Sequence, residues 1–162
     1  DILRRAGVEI HMVSITGEAK VTGSHGIEIK CDTCIGQENF SGTELFVLPG
    51  GMPGTKNLGA CKALTELLTA SFEAGKKLAA ICAAPSVLGD LGILKGKKAC
   101  CYPGFEERLT GAQVIFDQVA QDGNVTTSRG MGTAIPFALA LVSQMVSEEK
   151  AQELAQSIIF EV

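Results

Sequence analysis

Leu78-Ala79-Ala80-Ile81-Cys82-Ala83-Ala84-Pro85-Ser86-Val87-Leu88-Gly89 passes from one kind of order to another at a single cysteine. Lys77 to Ile81 is a short apolar run and reads as a buried strand, whereas Pro85 to Leu91 reads as a helix with proline in its first turn, where a missing N–H costs nothing. A strand that gives way at once to a helix is the repeating unit of a parallel α/β sheet. Cys82 falls at the bend, and Ala79, Ala80, Ala83 and Ala84 leave room for backbone and helix to pass closely. That is the composition of a nucleophile elbow, in which a strained turn projects a reactive side chain into a crevice. A helix amino terminus beside it favours thiolate over thiol. The alternative is an inert cysteine buried at a strand end.

Working outward, Glu44 to Leu48 is a second short apolar run and enters Pro49-Gly50-Gly51. From Lys56 to Ala74, Leu64, Leu67, Leu68 and Phe72 recur at helical spacing, and Gly75 closes the helix. Lys97 to Tyr102 is expected as a strand stopped by Pro103. Gln113 to Ala120 and Asn124 to Ser128 are β-rich runs about a Gln121-Asp122-Gly123 turn. Helices are expected over Thr133 to Val146 and Lys150 to Phe160, the latter capped by Ser147 with Glu148 and Glu149 near its positive end. At the start, Asp1 to Gly7 resembles the last turns of a helix, followed by strands over Val8 to Ile15 and Ile27 to Ile29.

The 162 residues suit one domain, 1–162, able to bury a core without staples. Hydrophobic residues make up 46% but aromatics only 5%, so the core is aliphatic, as in a parallel sheet covered on both faces. Charges of both signs are interspersed, with a net charge of −4 and no basic run, which argues against nucleic acid as a main partner. The longest apolar runs are shorter than the roughly 18 residues of a membrane span, and no signal peptide is visible in the chain. The six cysteines match no secreted scaffold, so reduced thiols in a cytoplasmic setting are expected, with organellar targeting left open. Cys31-x-x-Cys34 has no second ligand pair to complete a zinc site, so no metal and no cofactor are expected. Cys100 and Cys101 would face opposite sides of a strand and read as small core or surface fillers.

In a doubly wound sheet, sites form outside the carboxyl ends of the strands. Gly50-Gly51, Cys82, Tyr102-Pro103 and Ser128-Arg129-Gly130 all follow expected strands and converge on that edge. The N–H groups of Gly50 or Gly51 and of Ala83 are placed to hold a developing oxyanion. Arg129 offers a fork of donors to an anionic substrate or an oxidised sulfur, and Tyr102 a hydroxyl. Of the two histidines, His11 lies inside an expected strand and reads as structural. His25, in Ser24-His25-Gly26, is either a solvated turn residue or part of the crevice lining.

Glu44 to Gly51, Ala79 to Pro85, Gly96 to Pro103 and Thr127 to Thr133, in this order and spacing, resemble the ThiJ/PfpI family, in the branch of the Parkinson's-disease-associated protein deglycase and glyoxalase III. The resemblance spans essentially the whole chain. It implies a flavodoxin-like doubly wound sheet sandwiched by helices, a homodimer, and Cys82 as nucleophile with backbone donors at Gly51 and Ala83. It maps Ser24-His25-Gly26 onto a turn where many relatives carry arginine, and Tyr102 onto a position where some carry histidine. The implied activity is cofactor-independent conversion of α-oxoaldehydes such as methylglyoxal, or of their early adducts with proteins and nucleotides. The alternative is a redox-responsive chaperone or sensor acting through oxidation of Cys82. A peptidase is disfavoured because Ala83 stands where peptidase relatives place histidine, and an amidotransferase because no late His-x-Glu is present. The family's first strand, with a glutamate beside the cysteine, is expected upstream of Asp1 over roughly 20 residues. It would belong to a longer product or be supplied as a separate peptide.

Overall fold

The computed structural model describes residues 1–161 and is organised around β6 (Lys77–Ile81), the run quoted above. Its neighbours are β5 (Leu45–Leu48) on one side and β10 (Val125–Ser128) on the other, both parallel, and β9 (Val119–Asp122) completes the sheet as an antiparallel edge. Alternation along β6 assigns its faces. Leu78 and Ala80 turn towards a core shared with Leu64, Leu68, Val87 and Leu88, while Ala79 packs with Phe137 and Leu141 on the other side. The first group lies on α3 (Lys62–Glu73) and α4 (Pro85–Asp90), the second on α5 (Ala134–Met145). Alanine at both central positions of β6, each fully buried, lets helices approach both faces closely. Fully buried aliphatics such as Leu68, Leu88 and Leu94 each contribute about 1.5–3 kcal/mol by leaving water.

The hydroxyls of β10 are buried and all are used. Thr127 Oγ1 accepts the Cys100 N–H at 2.9 Å, Ser128 Oγ donates to the Gln118 carbonyl at 2.7 Å, and Thr126 Oγ1 accepts from Gln144 Nε2 at 3.0 Å. These bonds tie the strand carrying Ser128 and Arg129 to the segments on either side of it.

The remaining strands form separate pairs: β1 (Val13–Ser14) with β4 (Thr33–Cys34), β2 (Lys20–Thr22) with β3 (Glu28–Lys30), and β7 (Lys98–Ala99) with β8 (Gln113–Val114). Ile15 and Ile35, beside β1 and β4, pack against the same core as Phe46 and Leu48 of β5, yet β1 and β5 share no ladder. The Lys77 N–H donates to the Glu44 carbonyl at 3.0 Å, so in this parallel pair the polar groups of even-numbered residues face β6 and those of Leu45 and Val47 face an open edge. Val47 is 40% exposed between buried Phe46 and Leu48.

Several expected boundaries are corrected. The run from Lys56 to Ala74 is two helices, α2 (Gly54–Ala60) and α3, parted where Cys61 adopts an extended backbone. The strand expected over Val8 to Ile15 survives only as β1, since among the described residues no strand pairs with its first half. Lys97 to Tyr102 is ladder only over β7, although Tyr102 still bonds the elbow. Gln113 to Ala120 is divided between β8 and β9. Cys100 and Cys101 are both buried, which selects core filling from the two alternatives. His11 is not within a strand: its Nδ1 meets Glu38 Oε2 at 3.0 Å and its Nε2 meets Glu9 Oε1 at 3.3 Å, and Glu38 chiefly raises its pKa. At the ends, α1 (Ile2–Arg5) packs on α5, and α6 (Glu148–Ser157) is capped by Ser147 Oγ, which accepts the Lys150 N–H at 3.1 Å. Among the described residues no helix is long and apolar enough to cross a membrane.

Candidate active site

Cys82 has φ 66°, inside the left-handed region that L-residues avoid at a cost of roughly 1–2 kcal/mol. Three hydrogen bonds hold it there. The Cys82 N–H donates to the Ser128 carbonyl at 3.0 Å, the Tyr102 N–H donates to the Cys82 carbonyl at 2.8 Å, and the Ala84 N–H donates to the Ile81 carbonyl at 3.1 Å across the bend. The small residues around the bend are consistent with this conformation: Ala83 is 2% exposed and Ala84 is fully buried against α4. Strain maintained by such a frame is a feature of functional sites. The thiol itself is only partly buried, unlike those of Cys31, Cys34, Cys100 and Cys101.

Gly50 lies directly against the elbow. A Cβ at this position would stand 2.5 Å from Cys82 Cβ, 2.6 Å from the Ile81 carbonyl oxygen and 3.2 Å from Cys82 Sγ. Gly51 follows at φ 88°, again in the left-handed region. Among the described residues neither the Gly51 nor the Ala83 N–H meets an acceptor. Ala83 follows Cys82 and Gly51 follows the glycine that touches it, and unbonded amides are what an oxyanion pocket requires. Gly50 is the residue in close approach to the elbow.

The four segments singled out above meet here. Ser24 Oγ comes within 3.8 Å of the Cβ position of Gly51 and bonds His25 Nδ1 at 3.1 Å, so the Ser24-His25 turn reaches the glycine loop. Tyr102 is 49% exposed, and its ring lies against Gly130, with Cδ2 3.4 Å from that glycine's Cβ position. Arg129 follows Ser128 and stacks over the ring of Phe116 at 5.6 Å, with Nη1 donating to the Phe116 carbonyl at 3.4 Å. Phe116 was not among the expected residues; its one signal in the sequence is an aromatic in an exposed position just before β9.

Three of the other cysteines are buried and hold their protons more tightly. Burial raises the Cys31 and Cys100 thiols above their ordinary value, and burial followed by the Glu106 charge pushes Cys101 up to about 11. All six are free thiols. Among the described residues no group of three or more histidine, cysteine or acidic side chains is placed to hold a metal ion.

Fold and site together define a class: a flavodoxin-like α/β domain that presents a strained cysteine at the carboxyl edge of its sheet. The profile of the DJ-1/PfpI family matches residues 1–144, and the chain belongs to that family. It is 38% identical over 161 residues to protein DJ-1 homolog B of Arabidopsis thaliana, covering 98% of this chain and 37% of that protein, so it spans well under half of that relative. It is 31% identical over 160 residues to the glutathione-independent glyoxalase DJR-1.2 of Caenorhabditis elegans, covering 98% and 84% respectively. The crystal structure of Drosophila melanogaster DJ-1beta superposes with a TM-score of 0.95 at 35% identity, over 100% of this chain and 88% of that one.

Proposed function

We propose that Cys82 is the nucleophile of a cofactor-independent enzyme acting on α-oxoaldehydes such as methylglyoxal, or on their early adducts with proteins and nucleotides. The observation that supports this reading is the left-handed, partly open Cys82 with Gly50 against it, next to Gly51 and Ala83 amides that meet no acceptor among the described residues. The similar Caenorhabditis elegans protein, itself a glyoxalase, supports it. The thiolate adds to the aldehyde carbon, and the carbonyl π-pair becomes an alkoxide received by the two amides. Transfer of the C1 proton to C2 converts this hemithioacetal into a thioester of lactate, and water releases lactate and the thiol. Among the described residues no side chain hydrogen-bonds the Cys82 sulfur, and the family resemblance implies a glutamate as the group that moves this proton. Cys82→Ala is expected to abolish lactate formation from methylglyoxal while the circular dichroism spectrum is unchanged. Undiminished turnover would remove the mechanism.

A second reading is favoured by burial: Cys82, like Cys61, is partly open while the other four thiols are buried, and at its strained bend it would be the preferred target of mild peroxide. Preferential dioxygenation of Cys82 by intact mass, accompanied by altered client binding, supports a sensor or chaperone role; even oxidation of all six cysteines opposes it. In either role we expect a homodimer. The β2–β3 hairpin, with Ile27 68% and Ile29 51% exposed, is a two-stranded element that is marginal in water, and a second copy would cover it.

A further inference from the structure

We propose that Cys31 and Cys34 are a redox-active dithiol, independent of Cys82, that closes to an intramolecular disulfide by exchange with a low-molecular-weight disulfide such as oxidised glutathione. In a regular strand, residues three apart face opposite sides of the sheet, which would hold these thiols apart. Asp32 removes that obstacle. The Asp32 and Thr33 N–H groups both donate to the Met12 carbonyl, at 2.8 and 3.3 Å, whereas successive amides of a strand point opposite ways. Asp32 is therefore a bulge, one residue more than the ladder with β1 needs, and it returns Cys34 to the face that Cys31 occupies. The burial pattern agrees: Cys31 and Cys34 are both buried, and Asp32 between them is exposed. With one residue taken up by the bulge, the cysteines are spaced like residues two apart on one face, about 6.6 Å between Cα atoms. A disulfide spans Cα separations of about 4.4–6.8 Å. The bend is held from outside, since Asp32 Oδ2 accepts the Met12 N–H at 2.8 Å and Arg4 Nη2 at 3.1 Å.

The pair sits at a junction. Cys31 closes the β2–β3 hairpin, its N–H donating to the Ala19 carbonyl at 2.7 Å, and Cys34 lies in β4 in register with Ser14 of β1. A disulfide between them fastens the root of the hairpin, whose Ser24-His25 turn reaches Gly51, to the β1–β4 pair. Every residue of β3 is exposed, and a two-stranded element of this kind opens locally, which gives a reagent access to thiols that are otherwise buried. Burial, then the Asp32 charge and then Cys34 raise the Cys31 pKa, so exchange is slow at neutral pH and quickens as pH rises. In the exchange one cysteine thiolate attacks a sulfur of glutathione disulfide and expels one glutathione thiolate. The second cysteine thiolate attacks the protein sulfur of that mixed disulfide and expels the other. Two electrons and two protons leave the dithiol, and one glutathione disulfide becomes two glutathione thiols.

Trypsin isolates the pair, because the peptide from Cys31 to Lys56 contains these two cysteines and no other. The chain is equilibrated with mixtures of oxidised and reduced glutathione, free thiols are blocked with iodoacetamide, and the peptide is weighed. The expected product is a peptide without blocking groups and lighter than the dithiol by two hydrogen atoms. With the ratio of oxidised to reduced glutathione held fixed, diluting both tenfold should raise the ratio of closed to open peptide about tenfold, because closure releases two reduced glutathiones, whereas a mixed disulfide does not respond. A peptide that stays doubly blocked, or that carries glutathione and is indifferent to dilution, overturns the proposal. Cys82→Ser should close to the same extent, and failure to close there overturns the independence of the pair while leaving the reading of Cys82 as nucleophile untouched. Hydrogen exchange reads the fastening: the amides of Val21 and Ile29, paired across the hairpin, should exchange at least about threefold more slowly in the closed form, and unchanged exchange overturns it.

Discussion

Gly50→Ala places a methyl group 2.5 Å from Cys82 Cβ and 2.6 Å from the Ile81 carbonyl oxygen, both far inside van der Waals contact. Neither neighbour can yield easily. Cys82 is pinned through its N–H to Ser128 and through its carbonyl to Tyr102, and Ile81 belongs to the central strand. The glycine loop must therefore withdraw from the elbow. Overpacking of this kind costs about 1–3 kcal/mol, and a clash with backbone belongs at the upper end, so a loss of about 2–3 kcal/mol is expected. For a chain of this size that lowers the melting temperature by roughly 4–12 °C. The same withdrawal carries the Gly51 N–H away from the sulfur, so lactate formation should fall at least about 100-fold, the worth of one oxyanion donor. The control is Gly54→Ala in the first turn of α2, where a Cβ meets nothing within 4 Å, and where stability should be unchanged or slightly raised. Urea melts and the lactate assay on both variants decide the matter. A Gly50→Ala protein that melts and turns over like the wild type would refute the close approach of the two loops.

Three further outcomes are expected. Ile159 occupies the left-handed position of a Schellman ending on α6, at φ 57° and 91% exposed, with the Phe160 N–H donating to the Ala155 carbonyl at 2.9 Å; Ile159→Gly should raise unfolding free energy by about 0.5–1 kcal/mol in denaturant melts, and a loss would contradict the strain argument. Cys101, raised from 9.0 to about 11, retains its proton in the folded state where the unfolded chain has lost it, so its contribution is complete below pH 9 and declines as pH rises from about 9 to about 11; stability measured across that window should fall less steeply in Cys101→Ala. The amides of Leu45 and Val47, on the open edge of β5, should exchange with deuterium at least about tenfold faster than those of Ala79 and Ala80, and equal protection would mean that the edge is already paired.

The elbow, the strands β5, β6 and β10 and the helices on both faces of the sheet were readable from the chain alone, because each depends on neighbours within a few residues: an apolar run, a helical period, a proline in a first turn. The carboxyl-edge rule pointed to Gly50, Gly51, Cys82, Ala83, Tyr102 and Arg129, of which Gly50 and Tyr102 touch the elbow directly. Edge strands were overextended, since Val8 to Met12 and Cys100 to Tyr102 have strand-like composition but only a partner makes a ladder, and no local pattern reveals whether one is present. The helix break at Cys61 was equally invisible, because the residues on either side of it keep a compatible apolar spacing.

Composition and periodicity thus determined an aliphatic parallel α/β sheet with a cysteine at one of its bends. Tertiary structure alone decided that this cysteine is left-handed, that Gly50 touches it, that Ser24 reaches Gly51, and that Phe116 supports an arginine whose buried Nε lacks a partner. The physical reason is distance along the chain. These contacts join segments tens of residues apart, and they exist only once strand register and helix packing have placed each loop to within a fraction of an ångström.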